Sequence, residues 1–407
     1  MTAVDTVLAT IDETNAWQEE LYVHLHQNGE LSMQETETAA EITRRLDSYG
    51  YTTHQIGGGV VGVLQNGSGP TVLFRADIDA LPVKEATGLP YASTKTMTDR
   101  AGVVQPVMHA CGHDLHITAG LGAAELLSKA KDAWSGTYVA LFQPAEETAE
   151  GARSMVADGL VDRIPKPVVA LGQHVLTVPG AGKVGTVAGP MLSTGACIKV
   201  TVYGKGSHGS MPHLGVDPVV LASSIVMRLQ TIVAREIAPS AFGVVTVGSL
   251  QAGTKANIIP DRAVMLLNIR AYNDAVRQTL IDAIDRIVKA ECAAANSPRE
   301  PEIELYESYP LTDNDADVTA KVTAAFVDHF GPDRVETLAP VTASEDFSVL
   351  PSAFGIPYTY WGFGGFTSGQ QVFPNHNPGF GPAMQPTLRT GTEAAVAAVL
   401  AYLGKAE

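Results

Sequence analysis

Four separated segments carry side chains that could hold a divalent metal and move a proton. His109-Ala110-Cys111-Gly112-His113-Asp114-Leu115-His116 offers a thiol and three imidazoles in one short run. A thiolate and imidazoles suit Zn²⁺ and its neighbours. Gly112 allows a tight backbone turn between two ligands. Glu146-Glu147 follows an apolar run, Tyr138–Phe142. Two adjacent carboxylates after a buried strand cannot both be ion-paired cheaply in a core. In an extended segment they point to opposite sides. One can then bind metal while the other faces the water to be activated, which is the ligand and general base of a metal hydrolase. His174 ends a third apolar run, and His376 lies between prolines in Phe373-Pro374-Asn375-His376-Asn377-Pro378, which limits its loop to few conformers. Taken singly, the Cys-x-His is as well read as a helix start with a buried cysteine. The Glu pair alone is better read as a solvated acidic loop, and His376 as structural. Their conjunction favours a metal centre.

His208 lies in Gly204-Lys205-Gly206-Ser207-His208-Gly209. This loop lacks the spacing and Lys-Ser/Thr pair of a phosphate loop. It reads as a recognition feature or a solvated turn. His24, His26, His54 and His329 stand in polar or helical contexts and read as surface or packing residues.

The elements that must position these residues alternate. The first fifty residues are helical in pattern. The apolar runs Val72–Phe74, Tyr138–Phe142 and Val168–Leu171 are separated by polar or helical stretches, including a helix over about Leu115 to Lys131. This pattern predicts an α/β layer with a buried, mostly parallel sheet. Each run leads into charged or metal-binding residues: Arg75-Ala76-Asp77-Ile78-Asp79, Gln143-Pro144-Ala145-Glu146-Glu147 and Gly172-Gln173-His174. Ligands bind beyond the carboxyl ends of such strands, so the three should converge. Near residue 185 the character changes. Ile198, Val200 and Val202 alternate with Lys199, Thr201 and Tyr203. Helices follow over Asp217 to about Glu236 and Asp274 to Cys292, with strands Val244–Val247 and Val264–Ile269 between them. The order predicts a smaller α+β domain, 186–300, inserted in a catalytic domain formed by 1–185 and 301–407. An Ala-rich helix, Thr390 to Leu403, closes the chain.

Composition bounds the partners. The 407 residues include 27 Lys+Arg and 43 Asp+Glu, a net charge of −16. That argues against nucleic acid and anionic membranes. No uninterrupted apolar run reaches the length of a membrane span. The acidic start has no signal-peptide pattern. Three cysteines suit a reducing compartment, so the expectation is a cytoplasmic protein. No internal repeat is present.

Together these residues resemble the aminoacylase and carboxypeptidase group of dinuclear metallohydrolases. The resemblance is strongest to its amidohydrolase subfamily, which includes hippurate hydrolases and hydrolases of indole-acetyl amino acids. It is carried by Arg75-Ala-Asp77-Ile-Asp79-Ala-Leu-Pro82, Met108-His-Ala-Cys111-Gly-His113-Asp114, Phe142-Gln-Pro-Ala-Glu146-Glu147, Gly204-Lys-Gly-Ser-His208-Gly, Asn257-Ile-Ile-Pro260-Asp261 and Ser344-Glu-Asp346-Phe347, in the family's order. The resemblance implies a mostly parallel-sheet metallohydrolase domain with an inserted dimerisation and lid domain. It implies metal ligands Cys111, His113, Glu147, His174 and His376, with Glu146 as general base and Asp77 orienting a metal-ligand ring. It places His208, Asn257 and Arg270 on the substrate carboxylate and the reaction oxyanion. The cofactors implied are two divalent ions per chain, zinc first, then manganese or cobalt. The partner is a small N-acyl amino acid, acylglutamines among the candidates, and the assembly a homodimer through the inserted domain. A dipeptidase or carboxypeptidase on the same scaffold is the enzymatic alternative, and a metal-dependent binding protein the non-enzymatic one. Two departures bear on specificity. Leu266-Leu267-Asn268-Ile269 stands where the subfamily commonly has a Gly-Thr pair before the arginine, and Asn377 follows His376.

Overall fold

The apolar runs of the first half become strands of one eight-stranded sheet. The computed structural model describes residues 1–405, which fall into two units. The first comprises Met1–Met191, Asp313–Pro340 and Asp346–Glu407. Its sheet runs, from edge to edge, through Thr52–Ile56, Gly59–Asn66, Gly136–Gln143, Thr71–Asp77, Val169–Ala181, Tyr358–Gly364, Val184–Thr186 and Val335–Thr337. The four central strands, Gly136–Gln143 to Tyr358–Gly364, are mutually parallel. The two strands at the Thr52 edge are antiparallel. This is the mostly parallel α/β sheet that the sequence pattern predicts. Val72–Phe74 and Tyr138–Phe142 are all buried, as central strands covered on both faces must be.

The helix His113–Lys129 lies in the core of this unit, buried from His113 to Leu127. It packs against the sheet and against the helices Ile11–Gln27 and Met384–Leu403. Its start is set by Gly112, at φ 82°. A Cβ there would come within 2.4 Å of Val175 Cγ1. Both the left-handed backbone and the close approach require glycine.

The second unit, Leu192–Thr312 with Val341–Glu345, holds a four-stranded antiparallel sheet. The order is Gly243–Ala252, Arg262–Ala271, Thr194–Tyr203, Glu302–Tyr309. Ile198, Val200 and Val202 are buried with Leu221, Ile225 and Leu229 of the helix Pro218–Arg235 and Leu280, Ile284 and Val288 of the helix Asp274–Ala294. Asp217 and Asn273 cap these helices by accepting from N–H groups of the first turn. Pro218–Arg235 is long and apolar enough to pass for a membrane span, but one of its faces lies in this core.

The unit's limits differ from the sequence expectation of 186–300. Glu302–Tyr309 is the sheet's outer strand, and its alternation is masked by Glu302, Glu304 and Glu307, charges that suit an edge. Val341–Glu345 returns to the unit from far along the chain.

Candidate metal centre

Register brings the first unit's candidate residues to one level. Asp77 pairs with Gln143 across one parallel neighbour, and Arg75 with Gly172 across the other. The segments leaving these strands therefore start side by side. Asp77 and Asp79 come from the first, Glu146 and Glu147 from the second, and His174 lies two residues past Gly172 in the third. The turn before the helix adds Cys111 and His113. The loop near the end of the chain adds His376, whose amide N–H donates to the Ala110 carbonyl at 2.7 Å.

The donor atoms converge. Cys111 Sγ is 3.4 Å from His174 Nε2, and His376 Nε2 is 3.3 Å from Glu147 Oε2. His113 Nε2 is 3.8 Å from Glu147 Oε1 and 4.0 Å from Glu146 Oε2. Cys111, Glu147 and His376 each offer an atom within 4.8 Å of the others, and so do His113, Glu146 and Glu147. All five ligands expected from the resemblance, and the expected base, thus face one space.

Hydrogen bonds fix which nitrogens face it. Asp79 Oδ1 is 3.2 Å from His113 Nδ1, which leaves Nε2 as the nitrogen turned toward the other donor atoms. The Val175 carbonyl accepts from His174 Nδ1 at 2.7 Å, so His174 Nε2 presents a lone pair. Burial pushes His174 well below the ordinary imidazole range, and nearby His116 pushes the same way, so it is held neutral. Burial also works to lower His113, but Asp77, Asp79 and Cys111 outweigh it and raise that imidazole well above its usual value. His113 Nε2 and Glu147 Oε1 are buried without a hydrogen-bond partner. Unsatisfied buried donors and acceptors are rare and costly. Two of them, 3.8 Å apart beside a thiol and two more imidazoles, fit divalent metal.

The glutamates do not sit as an extended strand would place them. Glu146–Thr148 is a 3-10 turn, and the alanines on either side, Ala145 (φ 48°) and Ala149 (φ 55°), are left-handed. Both carboxylates therefore reach toward His113, rather than facing opposite ways. The turn is pinned from outside. Glu35 Oε1 accepts the Ala145 N–H at 2.8 Å, and Asp79 Oδ2 accepts the Glu147 N–H at 3.1 Å. Burial, with Asp79 close by, pushes Glu35 up to about 8. Ser32 Oγ donates to Asp79 at 2.7 Å.

Asp77 also has a different partner from the one a direct contact with a ligand ring would require. Its Oδ1 is 2.5 Å from His116 Nδ1 and its Oδ2 accepts from Arg75 Nη1 at 2.6 Å, whereas His113 Nε2 is 3.7 Å away. The carboxylate on the His113 ring is Asp79. Sequence reasoning gave no role to Glu35, counted His116 only among the possible donors of its run, and placed Asp79 only among the charged residues at a strand end. The spacing of His113 and His116, one helical turn apart, was the available signal for His116.

The other expected residues belong to the second unit. His208 pairs with Ile258, next to Asn257, and the Asn257 carbonyl accepts the Gly209 N–H at 2.8 Å. Ser210 N–H donates to His208 Nδ1 at 3.2 Å, so a neutral His208 carries its proton on Nε2 as a donor. Arg270 is half-buried. It donates to Asn268 Oδ1 at 2.9 Å and to Ser344 Oγ at 2.6 Å, both neutral partners. Among the remaining histidines His24 is exposed, and His54 and His329 are partly buried. His26 is buried between Asp114 at 2.7 Å and Glu85 at 3.1 Å.

Residues 73–401 match the sequence profile of peptidase family M20/M25/M40. The chain belongs to this family. The M20 chain is 36% identical over 338 residues to N-acetyl-L-cysteine deacetylase of Bacillus subtilis, covering 81% of this chain and 77% of that protein. It is 34% identical over 387 residues to thermostable carboxypeptidase 2 of Saccharolobus solfataricus, covering 93% and 94%. The crystal structure of a dinuclear metal-binding M20 peptidase from Bacillus subtilis matches with a TM-score of 0.76 and 26% identity, over 96% of this chain and 99% of that one. Membership makes the chain a hydrolase of amide bonds.

Proposed function

We propose that this M20 chain hydrolyses N-acyl-L-amino acids to a carboxylic acid and a free amino acid. The observation that carries the reading is the convergence of Cys111, His113, Glu147, His174 and His376 around His113 Nε2 and Glu147 Oε1, which are buried without a hydrogen-bond partner, with Glu146 beside them. Two divalent ions held by these residues, zinc foremost for a set with a thiolate, would acidify a water and polarise the amide carbonyl. Glu146 takes the water's proton and returns it to the leaving nitrogen. Asp79 holds the His113 ring for its task, and the Val175 carbonyl holds His174. His208, with its exposed Nε2 donor, stabilises the developing oxyanion. Arg270, whose partners are neutral, binds the substrate α-carboxylate together with Asn257. Support for an N-acyl substrate comes from the Cys-Gly-His form of the metal segment and from the deacetylase relative. A carboxypeptidase reading has the support of the Saccharolobus relative. A homodimer through the second unit fits its edge strand Gly243–Ala252 and the exposed Val220 and Met227.

The deciding experiment is turnover of N-acetyl, N-benzoyl and N-lauroyl amino acids, acylglutamines included, against plain dipeptides, with and without chelator. Faster turnover of dipeptides than of every acyl amino acid would overturn the reading.

A further inference from the structure

The run His109–His116 holds an imidazole for which the metal reading has no task. His116 offers an atom within 4.8 Å of others on Asp77, His113 and His174, so by proximity it could be a sixth ligand. Its hydrogen bonds exclude that. The Val175 N–H can only donate, and it lies 2.8 Å from His116 Nε2. Nε2 is therefore an acceptor, and Nδ1 carries the proton that is given to Asp77 Oδ1 at 2.5 Å. Both ring nitrogens are committed. Arg75 donates to the other Asp77 oxygen at 2.6 Å, so both oxygens of that carboxylate are held. Arg75, Asp77 and His116 are all buried.

This chain of groups ends on the residue that orients His174. The Val175 carbonyl accepts from His174 Nδ1, and the Val175 N–H is held by His116. The His116 ring also meets His174 edge-on, with centroids 4.5 Å apart and planes at 73°. We infer that His116 is a positioning residue: with Asp77 behind it, it fixes the backbone at Val175 and so the plane and tautomer of His174. Asp77 thus acts on a metal-facing ring through a second imidazole and a peptide, not by touching it. The inference rests on the metal reading of the site.

The test is Zn²⁺ affinity by chelator competition, with thermal melting of the metal-free proteins alongside. Loss of a group that orients a ligand typically weakens metal binding by about 10- to 100-fold. His116→Phe, which keeps a ring but removes the acceptor, should show that loss. His116→Gln can accept from Val175 but cannot also reach Asp77, so it should lose less, about 3- to 10-fold. In a His174→Ala background, His116→Phe should cost nothing further, because the ring it positions is gone. Parental Zn²⁺ affinity in His116→Phe would overturn the inference, and so would an equal loss in the His174→Ala background. Should His116→Phe fail to fold, parental affinity in His116→Gln would overturn it. A role in packing alone would lower the melting temperature of the metal-free variants without changing the affinity. Failure of the metal reading itself would look different: the parent protein would bind less than one Zn²⁺ per chain.

Discussion

The division of labour between Glu146 and Glu147 can be tested by two substitutions. The carboxylates are neighbours, yet their surroundings differ. Glu147 spans two imidazoles, with Oε1 3.8 Å from His113 Nε2 and Oε2 3.3 Å from His376 Nε2. Glu146 Oε2 lies 4.0 Å from His113 Nε2. Removing Glu147 takes a shared acceptor from both rings, whereas removing the charge of Glu146 leaves the other donors in place. Glu146→Gln keeps the shape and abolishes the basicity. Its kcat should fall by about 10² to 10⁴, the usual range for a general base. At about 1.4 kcal/mol per decade this is roughly 3 to 6 kcal/mol of transition-state stabilisation. Bound metal should stay at the parental level. Glu147→Ala should lose metal as well as activity. The assay is steady-state turnover of an N-acyl amino acid at saturating substrate, with metal content measured by mass spectrometry on the same samples. If Glu146→Gln loses metal while Glu147→Ala keeps it, the two roles are reversed.

Other expectations follow from the same geometry. Chelation should abolish activity and a divalent ion restore it; full activity at well below one ion per chain would exclude metal dependence. Arg270→Ala should cost roughly 2 to 5 kcal/mol in kcat/KM on substrates with a free α-carboxylate, by analogy with buried charge pairs. The poor turnover of the matching amides should barely change, and Lys255→Ala serves as the control; equal losses on acid and amide would make Arg270 structural. Burial works to lower His26, but Asp114 and Glu85 outweigh it and raise it to about 10. A raised folded value means the contribution is full below about 6.5 and disappears as pH rises through about 10. Denaturant titrations of parent and His26→Gln should therefore converge between those limits, from a difference on the order of 5 kcal/mol; a gap that widens with pH would refute the pairing. Light scattering should show a dimer, disrupted by Val220→Asp with Met227→Asp.

How much of this was legible in the sequence depended on whether a residue's neighbours were local. Cys111, Gly112 and His113 share one turn, and the apolar strands announce their own ends, so the sheet could be read from local pattern, while the full ligand set rested on the family resemblance. The posture of Glu146 and Glu147 could not be read. It depends on left-handed conformations at two alanines, whose side chains favour no such state, stabilised by Glu35 and Asp79 from distant segments. The ion-paired setting of His26, read from sequence as a surface or packing residue, was out of reach for a similar reason. A histidine on an amphipathic helix looks like a surface residue until the fold brings Asp114 and Glu85 to it. The strand Glu302–Tyr309 was missed because an edge strand carries charge where a central one carries apolar residues.

The place of His376 in the chain has a consequence for biogenesis. The second unit is made almost entirely of Leu192–Thr312 and can form while synthesis continues. The first cannot. Its central strand Tyr358–Gly364 pairs with Val169–Ala181 across that whole insertion, and His376 arrives later still. At the usual elongation rate of about 5 to 20 residues per second, Cys111 and His113 wait roughly 10 to 50 seconds for His376. A nascent chain exposes Cys111 and its neighbouring imidazoles through that interval. On the proposed ligand set, stable loading with metal would have to wait until His376 has been made, and any thiol-reactive or metal-scavenging stress should strike newly made protein before it strikes the mature pool.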